Sequence, residues 1–129
     1  MIERGLTYDT GALVAAERGD RELWLRHRST LAAGRVVTVP APVLAQAWRG
    51  GAHQAKLARL MAGCAVEPLP EDQARRIGEL AGRAGHADIV DVAVVEGAAR
   101  RGDAVLTSDL GDLRRIAFAA DRPVPIHPI

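Results

Sequence analysis

Aromatic residues are scarce in this sequence, at 3% of 129 positions. Base stacking on single-stranded nucleic acid would therefore use one of four side chains or the plane of an arginine. The four side chains are Tyr8, Trp24, Trp48 and Phe118. Long apolar runs are also missing, since none approaches the roughly 20 residues of a membrane span and the first residues lack the apolar segment of a signal peptide. We therefore expect a soluble, cytoplasmic protein with no membrane partner.

Cysteine and lysine occur once each. Because Cys64 is the single cysteine, an internal disulfide and a cysteine-based zinc site are excluded, which fits a reducing compartment. Because Lys56 is the single lysine, arginine carries nearly all of the positive charge; this suits phosphate binding, or it reflects a GC-rich coding sequence. The 17 basic and 16 acidic residues give a net charge of +1, so no global field indicates nucleic acid or a membrane surface.

Short strand-like runs alternate with helical segments along the whole chain. The runs, which are apolar or β-branched, lie at residues 5–8, 36–39, 64–69 and 104–107, and residues 124–126 can add only an edge strand because Pro125 interrupts the ladder. Segments bounded by glycine, proline or aspartate predict helices near residues 12–18, 20–33, 42–48, 53–62, 70–85, 89–101 and 110–119. We predict one α/β domain over residues 1–129, with a central, mainly parallel sheet of four or five strands and helices on both faces.

Asp91 is the one polar residue between positions 89 and 95. A helix here would be apolar nearly all round and should lie inside the protein. A lone carboxylate in that position costs several kcal/mol unless a cation, a metal ion or a set of donors neutralises it. Asp91 therefore predicts a partner. Glu96, about 140° further around the helix, is expected to be exposed.

Three more carboxylates are expected near Asp91. Asp9 follows the first strand and Asp109 the fourth, at the edge where α/β folds bind ligands, while Asp88 shares a helix face with Asp91. Clustered carboxylates raise each other's pKa, so a divalent cation would stabilise them, and oxygen ligands without cysteine or histidine select Mg²⁺ or Mn²⁺. Such an ion lowers the pKa of a bound water and stabilises the leaving oxygen of a phosphodiester.

Simpler roles remain open for several of these acids. Asp9, Asp88 and Asp109 each stand where a helix N-cap is expected, although capping does not exclude metal binding. Asp112, one turn after Asp109, is expected to be solvated or to support the site from outside.

Four segments, in this order, resemble the PIN domain and, within it, the VapC-type toxins of bacterial toxin–antitoxin pairs. They are LTYDTGAL at 6–13, VPAPVLAQAW at 39–48, DIVDVAVV at 88–95 and VLTSD at 105–109. The resemblance covers nearly the whole chain and implies a PIN-like three-layer domain. It implies that Asp9, Asp91 and Asp109 bind Mg²⁺ or Mn²⁺. It also implies a supporting hydroxyl at Thr107 or Ser108, and endoribonuclease activity in which a metal-activated water hydrolyses RNA.

The resemblance has one departure, because Gln46 stands where the family has glutamate. A glutamine carbonyl can coordinate an ion or position a water, but it brings no negative charge. Asp88 can supply the missing charge from the helix face that it shares with Asp91. The alternative function is therefore a catalytically weakened PIN fold that acts as an RNA- or protein-binding regulatory module.

The resemblance further implies an RNA substrate, a cognate antitoxin protein and a homodimer. Beside Gln46, four cationic side chains can hold an RNA backbone, or they form only a solvated helix face. They are Arg49, His53, Lys56 and Arg59.

Other α/β classes fit less well. A haloacid-dehalogenase-type phosphatase needs a second acid at the position of Gly11, a receiver domain needs a lysine after a late strand, and a Rossmann domain needs a glycine fingerprint after the first strand.

Overall fold

The computed structural model describes residues 4–86 and 88–129, and in these ranges strands and helices alternate. The strands are β1 (Gly5–Tyr8), β2 (Val36–Pro40), β3 (Ala65–Glu67), β4 (Ala104–Thr107) and β5 (Ile126–Pro128). The helices are α1 (Thr10–Glu17), α2 (Arg21–Ala32), α3 (Ala41–Ala47), α4 (Ala55–Met61), α5 (Glu71–Ala84), α6 (Ile89–Arg101) and α7 (Leu110–Ala119). Each predicted strand and helix is present, and one or two α-helices separate each strand from the next.

The five strands form one sheet in the order β3-β2-β1-β4-β5, and every pairing is parallel. The register between the central strands sets Tyr8 opposite Leu106. Since β1 and β4 are neighbours and run in the same direction, the residues that follow them begin at the same edge of the sheet. Asp9 and Asp109 are therefore brought to one edge, which we call the carboxyl edge.

Helices cover both faces of the sheet. The Thr7 hydroxyl donates to Asp103 and accepts from Arg101 of α6, whereas the hydroxyl of the next residue, Tyr8, bonds to His27 of α2. Because successive strand residues point to opposite faces, α6 and α2 lie on opposite sides. Helices α5 and α7 pack with α6, and α1 packs with α2 and α4. The predicted three-layer α/β fold is confirmed.

Some element boundaries differ from the prediction. Strand β3 is limited to Ala65–Glu67, since Pro68 and Pro70 lack the N–H groups that a longer strand would use. The last strand lies at Ile126–Pro128 rather than 124–126 and pairs with β4. A 3-10 turn at Ala52–Gln54 precedes α4. None of these differences changes the position of Asp9 and Asp109 at the carboxyl edge.

Helix α6 is buried from Val92 to Ala98, as its apolar sequence predicted. The prediction that Glu96 is exposed was wrong, because this side chain is buried and accepts hydrogen bonds from Gln73, Arg76 and Arg100. Helix α5 supplies two of these donors and covers the face that the prediction assigned to solvent. Within the described ranges, no helix is long and apolar enough to cross a bilayer.

Candidate active site

Asp9 is buried at the start of α1, where it caps the helix. One carboxylate oxygen accepts from the N–H of Ala12 at 2.8 Å, and the other accepts from the hydroxyl of Thr107. Burial raises the pKa of Asp9 above its usual value; the hydrogen bonds from Thr107 and Ala12 oppose the rise, and the charge of Asp109 adds to it. Asp9 is thus a fixed carboxylate that forms no ion pair with an arginine or lysine among the described residues.

Thr107 connects the two neighbouring strands at this edge. Its hydroxyl donates to Asp9 and accepts from the N–H of Asp109 at 2.8 Å. Of the two hydroxyls proposed from the sequence, Thr107 therefore makes the contact. Ser108 instead lies against Gly11, where a Cβ would come within 2.0 Å of its Oγ, so a larger residue at position 11 would force the Ser108 side chain to move.

Asp91 lies in the first turn of α6, with its side chain 21% exposed. Burial and the charges of Asp88 and Asp9 raise its pKa to about 6; Asp109 acts in the same sense, and His86 opposes the shift. Because repulsion from three carboxylates reaches Asp91, the four acids share one electrostatic environment.

All three aspartates that the sequence places at helix N-caps, Asp9, Asp88 and Asp109, do cap a helix in the structure. Besides Asp9, Asp88 caps α6 by accepting from the N–H groups of Val90 and Asp91 at 3.0 and 3.2 Å. Asp109 caps α7 and accepts from the N–H of Asp112 at 3.4 Å. In each of these two caps a single oxygen, Oδ1, is used. Capping therefore fixes these two carboxylates and leaves the second oxygen of each outside the cap.

The sequence does not predict His86 as a site residue, because the predicted ligand set contains no histidine. Its Nε2 lies 3.6 Å from Oδ2 of Asp91 and is a buried nitrogen without a hydrogen-bond partner among the described residues. One ligand atom each from His86, Asp91 and Asp112 lie within 4.8 Å of one another. The position of His86 in the chain could have indicated a site residue, because a residue between the end of α5 and the cap of α6 lies at the carboxyl edge.

Gln46 lies near the end of α3 and is exposed. Its amide oxygen accepts from the hydroxyl of Thr10, the first residue of α1 and the neighbour of Asp9. The amide is therefore held beside the start of α1. A neutral group at this point adds no further negative charge to the cluster.

The four cationic residues proposed from the sequence have different surroundings. The guanidinium of Arg49 donates to the carbonyls of Ala45 and Trp48, at 3.2 and 2.7 Å, so it folds back on its own helix end. His53 is exposed on the 3-10 turn. Lys56 and Arg59 line a groove between α2 and α4. The other residues of this α2–α4 groove are Gly19, Arg21, Trp24, Leu25 and Arg28.

Residues 7–119 match the PIN domain family. The fold is similar to VapBC2 from Rickettsia felis bound to a promoter DNA fragment, with a TM-score of 0.72, 15% identity, and coverage of 96% of this chain and 98% of that chain. DNA-bound VapBC from Salmonella typhimurium gives a TM-score of 0.69 and 20% identity, with 99% and 98% covered. VapC20 from Mycobacterium tuberculosis, described as a sarcin-ricin loop cleaving toxin, gives 0.56 and 20%, with 78% and 87% covered. No curated protein matches. The extent of the family match, together with the parallel sheet, shows that this chain belongs to the PIN domain family.

Proposed function

We propose that this protein is a metal-dependent endoribonuclease and the toxin of a toxin–antitoxin pair. The observation that carries the proposal is the uncompensated charge at the carboxyl edge. Among the described residues, none of Asp9, Asp91 and Asp109 forms an ion pair with an arginine or lysine, although the chain has 17 basic residues. Burial and mutual repulsion raise the pKa of Asp91 to about 6. A divalent cation is the partner that such a cluster favours.

The negative charge and the oxygen ligands of these residues suit such an ion. Asp9, Asp91 and Asp109 would hold Mg²⁺ or Mn²⁺, and the orphaned nitrogen of His86 faces the same region. When bound, the ion supplies positive charge that lowers the pKa of a water and stabilises the leaving oxygen of a phosphodiester. Thr107 fixes the orientation of Asp9, and the caps of α1 and α7 fix Asp9 and Asp109 against rotation.

Gln46 and Asp88 would tune this site. The amide of Gln46, oriented by Thr10, can position a water or a phosphate oxygen, but it cannot act as a base. The carboxylate of Asp88 adds negative charge next to Asp91. The neutral Gln46 is also the observation that favours the second candidate, a weakened PIN fold that binds RNA or protein without efficient turnover.

The relatives support the choice of substrate and partner. RNA is proposed as the substrate because VapC20 is described as cleaving the sarcin-ricin loop. A cognate antitoxin is proposed because the similar structures from Rickettsia felis and Salmonella typhimurium are VapBC structures. A homodimer and a cytoplasmic location complete the proposal.

We propose that the RNA backbone follows the α2–α4 groove. Arg21, Arg28, Lys56 and Arg59 line it, and among the described residues none of these four forms an ion pair. The guanidinium groups of Arg28 and Arg59 lie 5.7 and 5.8 Å from the centroid of the Trp24 ring, so two positive charges lie beside the same indole. Positive charge without counter-charge beside an indole is suited to a phosphate backbone and its bases. Arg49 and His53 would extend this surface towards Gln46.

Cleavage of structured RNA by the purified protein tests the activity. We expect cleavage with Mg²⁺ or Mn²⁺ that is lost in Asp9→Asn, whose neutral amide keeps the shape of the side chain. Asp121→Asn is the matched control, because Asp121 is exposed and 3.8 Å from Arg83, outside the site. Cleavage that persists in Asp9→Asn would refute the assignment of the site. RNA binding without any acid-dependent cleavage would favour the weakened module.

Binding in EDTA, where cleavage is prevented, tests the RNA surface separately. Replacing Arg28 and Arg59 with alanine should weaken binding and reduce the slope of log affinity against log salt by about 0.7 for each phosphate that the variant no longer neutralises. Arg75→Ala is the control, since Arg75 is exposed and already paired with Glu71. Equal salt slopes for the double variant and the control would refute this path for the RNA.

A further inference from the structure

We propose that His86 is a nitrogen ligand of the metal site, together with Asp91 and Asp112, and that it makes the site prefer Mn²⁺ to Mg²⁺. This inference rests on the proposed metal-dependent function. It adds a ligand type, a nitrogen, that the resemblance to the family did not imply. It also assigns Asp112 a direct bond to the ion, whereas the sequence predicts that Asp112 is solvated or supports the site from outside.

The spacing of the three side chains fits one ion. Their ligand atoms lie within 4.8 Å of one another. Because bonds from a metal to nitrogen or oxygen ligands measure roughly 2.0–2.6 Å, two ligands of one ion lie within roughly 5 Å of each other. The group therefore needs no rearrangement of the backbone to share a cation.

The environment of His86 points to a ligand. Its side chain is 12% exposed, and its Nε2 is fully buried with no hydrogen-bond partner among the described residues. A buried polar nitrogen without a partner is unfavourable and rare in native proteins. The carboxylate of Asp91, 3.6 Å away, is too distant for a hydrogen bond. A cation between these two groups would satisfy both, since a neutral imidazole nitrogen is an electron-pair donor.

The fold brings the three residues together from separate segments. Gly85, with a φ of +63°, ends α5 in the left-handed conformation and turns the chain towards His86. Asp91 and Asp112 each lie in the first turn of a helix, α6 and α7, and these two helices pack together. Both helices begin at the carboxyl edge, so the three side chains converge there.

The ligand type determines the preference among ions. Magnesium binds oxygen ligands almost exclusively and retains several waters, whereas imidazole is a better ligand for transition metals. An imidazole nitrogen among carboxylate ligands should therefore favour Mn²⁺. The neutral Gln46 strengthens the argument, because it leaves the site with less of the anionic oxygen that Mg²⁺ favours.

Calorimetric titration of the metal-free protein with MnCl₂ and with MgCl₂ tests the inference. We expect His86→Gln to weaken Mn²⁺ binding about tenfold or more and Mg²⁺ binding by less than about threefold. His53→Gln is the matched control, because it removes an exposed imidazole from the 3-10 turn and should leave both affinities unchanged. The melting temperatures of the metal-free variants establish that each one is folded.

Pulsed electron paramagnetic resonance of bound Mn²⁺ provides a second measurement that needs no variant. Coupling to a ligand ¹⁴N should be present in the wild-type protein and in His53→Gln, and absent in His86→Gln. Absence of ¹⁴N coupling in the wild-type protein, or equal losses of Mn²⁺ and Mg²⁺ affinity in His86→Gln, would overturn the inference. If the wild-type protein binds neither ion, the proposed function fails as well, whereas normal binding by His86→Gln overturns only the role of His86.

Discussion

Two clusters of acidic side chains lie towards opposite ends of α6, and they are compensated in different ways. At the carboxyl edge, Asp91 has no arginine or lysine partner among the described residues. Towards the other end, every acid is matched by arginine. The pairs are Glu67 with Arg100 and Arg101, Glu96 with Arg76 and Arg100, and Asp103 with Arg101. We call this second group the arginine-paired cluster.

The two clusters have opposite effects on the ionisation of their acids. Burial alone would raise the pKa of Glu67, but hydrogen bonds from Arg100 and Arg101 outweigh it and lower the pKa to about 2. At the carboxyl edge, burial and repulsion raise the pKa of Asp91 to about 6. The arginine-paired cluster joins β3, α6 and β1 and is complete in itself. At the carboxyl edge, no arginine or lysine among the described residues pairs with Asp91, and this difference is why we treat one cluster as structural and the other as the candidate active site.

The largest effect on stability is expected in the arginine-paired cluster. Replacing Glu67 with glutamine removes the charge shared by two arginines and leaves them half-buried with fewer partners. We expect a loss of about 2–3 kcal/mol in the free energy of unfolding, below the full cost of breaking a buried pair because the cluster is partly exposed. Urea denaturation of the metal-free protein measures it.

The control for Glu67→Gln is Glu71→Gln. Glu71 also pairs with an arginine, Arg75 at 2.7 Å, but its side chain is 78% exposed. An exposed pair of this kind should contribute little, so we expect a change of less than about 0.5 kcal/mol. Equal stability of the two variants would show that the arginine-paired cluster does not stabilise the fold.

Much of the carboxyl edge was predictable from the sequence because its signals are local. The short strand-like run before Asp109 and the apolar run around Asp91 define one strand and one helix, and the parallel direction of the strands then determines where the acids lie. Asp9 follows β1 for the same reason. These predictions needed no knowledge of which helices pack together.

The errors arose where packing between distant segments decides the outcome. The predicted exposure of Glu96 depends only on its angle from Asp91 around α6. In the structure, α5 packs over this face of α6 and contacts Glu96 through Gln73 and Arg76. His86 lies outside any periodic segment, so no pattern marked it. Its environment depends on Asp91 and on the packing of α6 against α7. A sequence pattern describes one element at a time and is silent about such contacts.

The second-largest expected effect is on the pH dependence of stability, to which the two clusters contribute slopes of opposite sign. The folded-state pKa of Glu67 is about 2, below its ordinary 4.5, so its contribution is present above pH 4.5 and is lost as the pH falls towards 2. The folded-state pKa of Asp91 is about 6, above its ordinary 3.8, so stability rises as the pH falls from above 6 towards 3.8. The metal-free protein should therefore be most stable between pH 4 and 5.

The loss of stability between pH 5 and 7 should be about 1 kcal/mol at most, after allowance for the partial exposure of Asp91. Thermal unfolding across this range, in EDTA, measures it. Asp91→Asn removes the titrating group and should flatten this part of the profile while leaving the acid side unchanged. A profile of Asp91→Asn that matches the wild type above pH 5 would contradict the assignment of this slope to Asp91.

The smallest effect is expected for Asp88, which lies beside Asp91 at the carboxyl edge but already serves as a helix cap. It caps α6 and is exposed, and its charge raises the pKa of Asp91. Asp88→Asn preserves the cap, because asparagine and aspartate cap helices equally well, whereas Asp88→Ala should cost about 1 kcal/mol. If Asp88 contributes only through its charge, Mn²⁺ affinity of Asp88→Asn should fall about two- to threefold at low salt.

The dependence of Mn²⁺ affinity on salt concentration then shows whether Asp88 acts as a nearby charge or as a ligand. The field of an exposed carboxylate is screened within about 3 Å at roughly 1 M salt, so the affinities of wild type and Asp88→Asn should converge there. A missing ligand would leave a gap that salt does not close, and a gap of about tenfold or more would make Asp88 the residue that replaces the charge absent at Gln46. We expect convergence, because the cap already fixes Oδ1 of Asp88 on the backbone of α6 and its exposure keeps the charge in water. An acid can thus belong to the carboxyl edge electrostatically without binding its ion.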